Sequence, residues 1–337
     1  MTSARLAVVT ASAVLLSTVI GCSTGQERQQ REPGRSEGAR VSFLTISQTC
    51  EPCARTSEAI VDNLESAGVE VRTSATDFDS PADQIQKFNQ ALSTEPDAII
   101  VWPTDTTSII PALKLAERNG SDIPVITTTY RPATPDTDLW TAWVGGDDEK
   151  LGDEAARSLL AGLAAAGKPA VGNVIQIEGT PGAATTIGRQ TGFEKTLATE
   201  APGLTLVGSQ PGNWDQTEAT NAASALFAQD PGREIVGVYA HSDIMLNGAI
   251  LAGERDGRVA GTDFIAVGID CSVEGYRNIE TGKQFATGMW DPASIGRETA
   301  TVTLEILRGN PVPKDTFFDT PQITTSNLSN CTGAAGL

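Results

Sequence analysis

The stretch 234-EIVGVYAHSDIMLNGAILAG-253 runs from an apolar strand through a polar turn into a helix. Ile235, Val236, Val238 and Tyr239 form a short β-branched-rich run, and His241, Ser242 and Asp243 turn the chain into a helix carrying Met245, Leu246, Ala249 and Ile250. This is half of a βαβ unit. The same design recurs in VSFLTISQT (41–49), DAIIVWPTD (97–105), PVITTTYRP (124–132), NVIQIEGTPG (173–182) and DFIAVGIDCS (263–272). Each is an apolar run ending in polar or glycine-containing residues before a helical pattern. Ligands bind outside the carboxyl ends of the strands in open parallel sheets, so these tips are where binding groups are expected.

The chain has 337 residues, 39% of them hydrophobic, enough for more than one domain. Forty-two Asp plus Glu against 24 Lys plus Arg leave a net charge of −18, and no basic face is visible. That argues against nucleic-acid binding, since phosphate contacts need clustered cations. A solvated acidic surface accounts for the charge.

Residues 1–21 read as a signal peptide, with Arg5 before the apolar run from Leu6 to Ile20. The run is short for a membrane span. Residues 22–39 are rich in Gln, Glu, Arg, Gly and Ser and are expected to form a flexible tether.

Strands and helices alternate through the remainder, which implies parallel α/β sheets. A helix is expected from about Thr107 to Asn119, and others from Gln216 to Ala228, Val273 to Glu280 and Ser294 to Leu307. The alternation restarts near WVGGDD (143–148), so two lobes are expected. The last helix follows two complete lobes, which suggests that the chain crosses back, with hinges near Val144, Met289 and Ile323. The expected first lobe is 40–143 plus 291–321, and the second 144–290 plus 322–337.

VWPTD, GTPGAATTIGRQTGF, NWDQTEA, AHSDIMLNGA, VGIDCS and ASIGRETATVTLEILRG, in this order, resemble the ribose-binding-protein group of type I periplasmic sugar-binding proteins, the receptors of ABC importers. The resemblance runs from about Val41 to Asn327. It implies two doubly wound parallel-sheet lobes joined by a three-crossover hinge, closing over a sugar or polyol that is passed to a membrane permease. VIGC, ending at Cys22, resembles a bacterial lipobox and implies a protein lipid-anchored to the outer face of the cell membrane. A monomer is expected.

A polyhydroxylated ligand needs charged or amide groups for paired hydrogen bonds and rings for stacking. By family position, Asp105, Arg189, Ser242 and Asp270 match residues that hold sugar hydroxyls, and Trp214 matches an aromatic stacker. Trp290 stands where the family often has an amide, Ser242 replaces a common Asn, and Thr128 and Thr129 replace an Asp before Arg. An apolar wall at Trp290 implies a ligand smaller or less polar on that side than a pyranose, such as a linear polyol or short-chain sugar. Each residue also has a plainer reading. Asp105 and Asp270 suit helix caps, Arg189 a solvated helix face, and Trp102, Trp140 and Trp143 core packing.

His241 is the single histidine and adjoins Ser242 and Asp243, but adjacent residues do not converge on one reacting atom and no GxSxG occurs. No catalytic set, metal site or cofactor motif is expected. Beyond Cys22, four cysteines allow three pairings. Cys50–Cys53 and Cys271–Cys331 are the expected disulfides, the second pinning the C-terminal tail to the strand tip after Asp270. CEPC after a strand is also how a thiol-disulfide oxidoreductase presents its thiolate, so a membrane-tethered enzyme of that kind is the alternative. A receptor that presents sugar to a signalling sensor is a third reading.

Overall fold

Strands buried on both faces of a parallel sheet must be apolar nearly throughout, and AIIV (98–101), VITT (125–128) and AWVG (142–145) are buried at every position. The computed structural model describes residue 1 and residues 36–47, 51–77 and 80–331. The expectations for Cys22 and Cys50 lie outside the described residues.

The chain builds one sheet, then another. The first comprises β1 (Arg40–Ile46), β2 (Glu70–Thr76), β3 (Ala98–Val101), β4 (Val125–Thr128) and β5 (Ala142–Gly145), with α1 (Glu51–Ser66), α2 (Pro81–Ser93) and α3 (Ile110–Arg118). After α4 (Asp148–Ala165) come β6 (Gly172–Glu178), α5 (Ala184–Glu200), β7 (Leu204–Pro211), α6 (Gln216–Ala228) and β8 (Ile235–Ala240). The second sheet continues through α7 (Asp243–Arg255), β9 (Ile265–Asp270), α8 (Val273–Glu280) and β10 (Ala286–Met289). The chain then returns through α9 (Pro292–Leu307), which packs on α1, and β11 (Asp315–Phe317), which pairs with β5. It ends on β12 (Gln322–Ile323), antiparallel to β10.

The strand orders are β2-β1-β3-β4-β5-β11 and β7-β6-β8-β9-β10-β12, the same progression in both sheets. Each is the doubly wound order whose direction of winding reverses at one point, between β1 and β3 in the first sheet and between β6 and β8 in the second. The chain passes between sheets three times, so this is the two-lobed type I periplasmic binding protein fold.

Three local expectations change. Ser36 and Ala39, read from composition as tether, are buried, with Ala39 in the first-lobe core and Gly38 N–H donating to Gly68 O at 2.8 Å. The third helix starts at Ile110 rather than Thr107, because Asp105 draws Thr107 and Ser108 into a turn first. The last helix starts at Pro292, capped by Asp291, whose carboxylate accepts from Ser294 N at 2.8 Å and Ser294 Oγ at 2.7 Å. In addition, β5 carries the first sheet through Gly145, two residues beyond the boundary read from sequence.

The approach of α4 to α5 sets the position of Arg189. A Cβ on Gly192 would lie 1.9 Å from Glu149 O, and one on Gly152 would lie 2.1 Å from Arg189 O. Only glycine at both positions lets the helices come this close, and that brings the start of α4 against Arg189.

Candidate functional site

Arg189 emerges from α5, which the glycine contacts press against α4. Its side chain is 4% exposed, so the sequence reading of a solvated helix residue does not apply. Nε donates to Asp148 Oδ1 at 3.0 Å, Nη1 donates to His241 O, and Nη1 stands 3.7 Å from Asp270 Oδ1. Burial alone would lower the arginine's pKa; Asp148 and Asp270 outweigh it and raise it, so the cation persists. Burial in turn pushes the Asp148 carboxyl upward, against the pull of Arg189.

Asp270 ends β9 with φ +121°, followed by Cys271 at +61°. Burial raises its pKa and Arg189 opposes the rise, while 31% side-chain exposure leaves it reachable by solvent. The sulfurs of Cys271 and Cys331 stand at bonding distance, with Cα atoms 5.6 Å apart, a normal separation for a disulfide.

Trp214 lies between β7 and α6, half-buried, its guanidinium neighbour Arg189 centred 5.7 Å from the ring. Asn213 and Trp214 both have positive φ, and Trp214 N–H donates to Met245 Sδ at 3.3 Å. Gly179, at the tip of β6, fits beneath the indole: a Cβ there would come within 2.0 Å of it. His241, at the neighbouring tip, accepts the Gly179 N–H on Nδ1 at 3.3 Å, bridging the point where the second sheet reverses its winding. Burial, then Arg189, depress its pKa to about 3, so it is neutral near pH 7. The buried Tyr239 hydroxyl and His241 Nε2 have no hydrogen-bond partner among the described residues.

Ser242 caps α7, its Oγ accepting Met245 N–H at 3.3 Å. The Asp243 carboxylate serves Ser272, Gln284 and Thr287. Neither is disposed as a triad partner of His241. Asp105 engages its own turn: Oδ1 accepts Thr107 N at 2.7 Å and Ser108 N at 2.8 Å, and Oδ2 accepts from Ser108 Oγ. Burial works to raise its pKa, but these bonds hold it below the usual carboxylate range.

Trp290 follows β10 and, like Tyr130, packs against the cluster of Ile46, Cys53 and Trp102 by the strand ends of the first sheet, while also touching the second-lobe core. Phe318 meets it edge-on, centroids 6.3 Å apart. Trp140 and Trp143 are core residues; Trp102 is buried within this aromatic group. Tyr130 spans the two tip regions electrostatically: burial, then Asp148, push its pKa up to about 12, opposed by Arg189.

A family model described as the periplasmic binding protein domain matches residues 51–311. The chain belongs to this family.

Among relatives of this periplasmic binding protein, the ribose import binding protein RbsB of Salmonella typhimurium is 28% identical over 233 residues, covering 69% of this chain and 73% of that protein. The galactofuranose-binding protein YtfQ of Escherichia coli is 28% identical over 63% of this chain and 65% of its own. The fructose import binding protein FruE of Bifidobacterium longum is 25% identical over 90% and 89%. A Mycobacterium smegmatis structure with β-D-fucofuranose superposes with TM-score 0.75 at 26% identity, covering 87% of this chain and 93% of that one. The arabinose-transporter binding protein of Shewanella shares the fold, with TM-score 0.77 at 22% identity over 88% and 95%. These are import and binding proteins, and this chain is a binding protein, not an enzyme.

The structure thus brings Arg189, Asp270, Trp214 and Ser242 around the second-sheet tips and sets Trp290 on the first-sheet aromatics. Asp148, Tyr130 and His241 were not among the binding residues read from sequence. The Asp147-Asp148 doublet at a helix start was a signal for Asp148, and the polar tip after VITT for Tyr130. Gln84 carried no such signal. It is buried in the first turn of α2, its Nε2 donating to Trp102 O at 2.8 Å and its Oε1 accepting Thr104 N at 3.0 Å, which fixes the tip bearing Asp105. Among the described residues no group of His, Cys, Asp or Glu is placed to hold a metal ion.

Proposed function

We propose that this protein is the solute-binding lipoprotein of an ABC importer, capturing a sugar or polyol between its lobes and delivering it to a membrane permease. The observation that carries the reading is Arg189, buried between Asp148 and Asp270 at the second-sheet tips, beside the Trp214 ring. A guanidinium flanked by carboxylates offers paired donors and acceptors to neighbouring hydroxyls, and aromatic faces suit the C–H side of a sugar. Relatives named for ribose import, galactofuranose and fructose import support a sugar.

In this reading Asp105, Arg189, Ser242 and Asp270 contact hydroxyls, Trp214 stacks, and Trp290 with Tyr130 forms an apolar wall. The wall favours a compact ligand; the galactofuranose-binding relative and the fucofuranose-bound neighbour point toward five-membered rings. The lobes, 36–145 plus 291–321 and 146–290 plus 322 onward, close about hinges just after Gly145 and near Met289 and Ile323. Export, an anchor at Cys22, a Cys271–Cys331 disulfide and a monomeric state belong to the same proposal. A sensor as partner would use the same site, and a structural neighbour is the fructose-binding periplasmic domain of a hybrid two-component system.

A thermal-shift screen of sugars, polyols, amino acids and nucleosides, followed by calorimetry and small-angle scattering, tests the reading. Stabilisation by sugars with a smaller radius of gyration is expected. Stabilisation by amino acids or peptides alone would overturn it. Loss of the protein from the membrane fraction in Cys22→Ala tests the anchor.

A further inference from the structure

The turn that presents Asp270 is built in a conformation its own residues do not favour. Asp270 and Cys271 are consecutive non-glycine residues with φ of +121° and +61°, a region that side chains with a Cβ rarely enter. Something outside the turn must hold it there. Cys331 lies against Cys271, and the hydrogen bonds to the turn's amides converge on one residue, Asp243, the first of α7, whose carboxyl is fully buried.

Asp243 acts on the turn from both its backbone and its side chain. Its backbone N–H donates to the Asp270 carboxylate. Its Oδ2 accepts Ser272 N–H at 3.0 Å and Thr287 Oγ1–H at 2.9 Å, and its Oδ1 accepts from Gln284 Nε2 at 2.7 Å. Thr287 Oγ1 in turn accepts Cys271 N–H at 3.1 Å. The amides of Cys271 and Ser272 are therefore both tied, directly or through one hydroxyl, to the same carboxylate. The space for it is made by two glycines: a Cβ on Gly275 would stand 2.0 Å, and one on Gly268 2.4 Å, from its oxygens. A helix cap needs none of this enclosure, and the cap of α7 is already supplied by Ser242.

We propose that Asp243 is a positioning residue of the binding site, holding the 270–272 turn so that the Asp270 carboxylate faces Arg189 and the ligand. Asp243 does not touch the ligand; it acts through Asp270. The inference rests on the reading of Asp270 as a ligand-binding group.

A double-mutant cycle tests it. D-ribose, L-arabinose, D-fructose, D-galactose and D-allose are screened by thermal shift, and the most stabilising sugar is titrated calorimetrically into the wild type, Asp243→Ala, Asp270→Ala and the double variant. Asp243→Ala is expected to weaken binding roughly tenfold in the wild-type background and by less than about twofold in the Asp270→Ala background, because coupled residues are not additive. Asp243→Asn keeps an oxygen for Ser272 and Thr287 and is expected to recover most of the affinity. Equal losses in both backgrounds, or lowered thermal stability with unchanged affinity, overturn the proposal and leave Asp243 a core residue only. If Asp243→Ala does not fold, Thr287→Val, which removes one of the donors on Oδ2 and the acceptor for Cys271, takes its place with the same expectations. If Asp270→Ala itself leaves affinity unchanged, or none of the sugars binds, the reading of the site fails and this inference with it. If Asp270→Ala weakens binding but the cycle is additive, the site stands and the positioning role alone is overturned.

Discussion

The strand tips of the two sheets share one topology and carry opposite chemistry. Those of the second sheet are polar and tightly bonded, with Arg189 joined to Asp148, Asp270 and the His241 carbonyl. Those of the first gather an aromatic and apolar group, with Tyr130 and Trp290 packed on Ile46 and Trp102 beside the polar turn at Asp105. Identical strand orders place both sets at the same kind of edge, so the division of labour comes from side chains alone. The polar half fixes the direction of hydroxyls; the aromatic half sets the width available to the ligand.

Removing the centre of the polar half gives the largest effect. Arg189→Ala leaves Asp148 and Asp270 without their cation, and breaking such a buried pair costs about 3–5 kcal/mol. Chemical denaturation should show that loss, and calorimetry no measurable sugar binding. Asp270→Ala keeps the fold and removes one charge-assisted contact, so affinity should fall by about 2 kcal/mol or more, at least tenfold. Trp290→Gln sharpens the contrast from the other side. Replacing the ring by an amide should lower affinity for compact sugars and improve, relative to them, that for a hexopyranose; unchanged selectivity would remove Trp290 from the wall.

The polar half should also leave a signature in pH, visible as differences between wild type and variant. Burial, against hydrogen bonds from Gln284, Ser272 and Thr287, raises Asp243 from 3.8 to about 7. Between those values the folded state holds a proton that the unfolded state has lost, so this group's contribution to stability declines as pH rises from about 4 to about 7. His241, depressed from 6.5 to about 3, does the reverse: the unfolded state holds the extra proton, and stability rises with pH across about 3 to about 6.5. The two slopes oppose each other over most of that range. Denaturant melts should therefore show stability relative to Asp243→Asn falling with pH, and relative to His241→Gln rising. The smallest effect is expected at Asp105, where loss of the turn bonds in Asp105→Ala should cost about 1 kcal/mol of stability. A larger loss of sugar affinity than of stability there would show a role in the ligand site beyond the turn.

Much of this architecture is legible in the amino-acid order. Apolar runs of four to seven residues ending in polar tips, with helical patterns between them, specify a parallel α/β chain, because a strand buried on both faces has to be apolar throughout. The return of the chain after two complete lobes follows from a helix with no strand of its own. Arg189 and Asp270 are legible as family positions. For Asp148 and Tyr130 the sequence marks only a polar tip and for Asp243 only a helix start, since a carboxylate at a helix start or a tyrosine after a strand looks the same whether it meets solvent or a buried guanidinium.

Local pattern by itself determined the strands, their tips and the two-lobed winding, because period and burial are properties of a segment. Tertiary structure alone decided which tips meet and which charges pair. Arg189 reaches Asp148 because glycines at 152 and 192 let α4 and α5 close to backbone contact, and Asp270 holds its left-handed turn because a carboxylate from α7 fits between glycines at 268 and 275. Those contacts join residues 41 and 29 positions apart. Their geometry depends on how closely separate elements approach, which no single segment encodes.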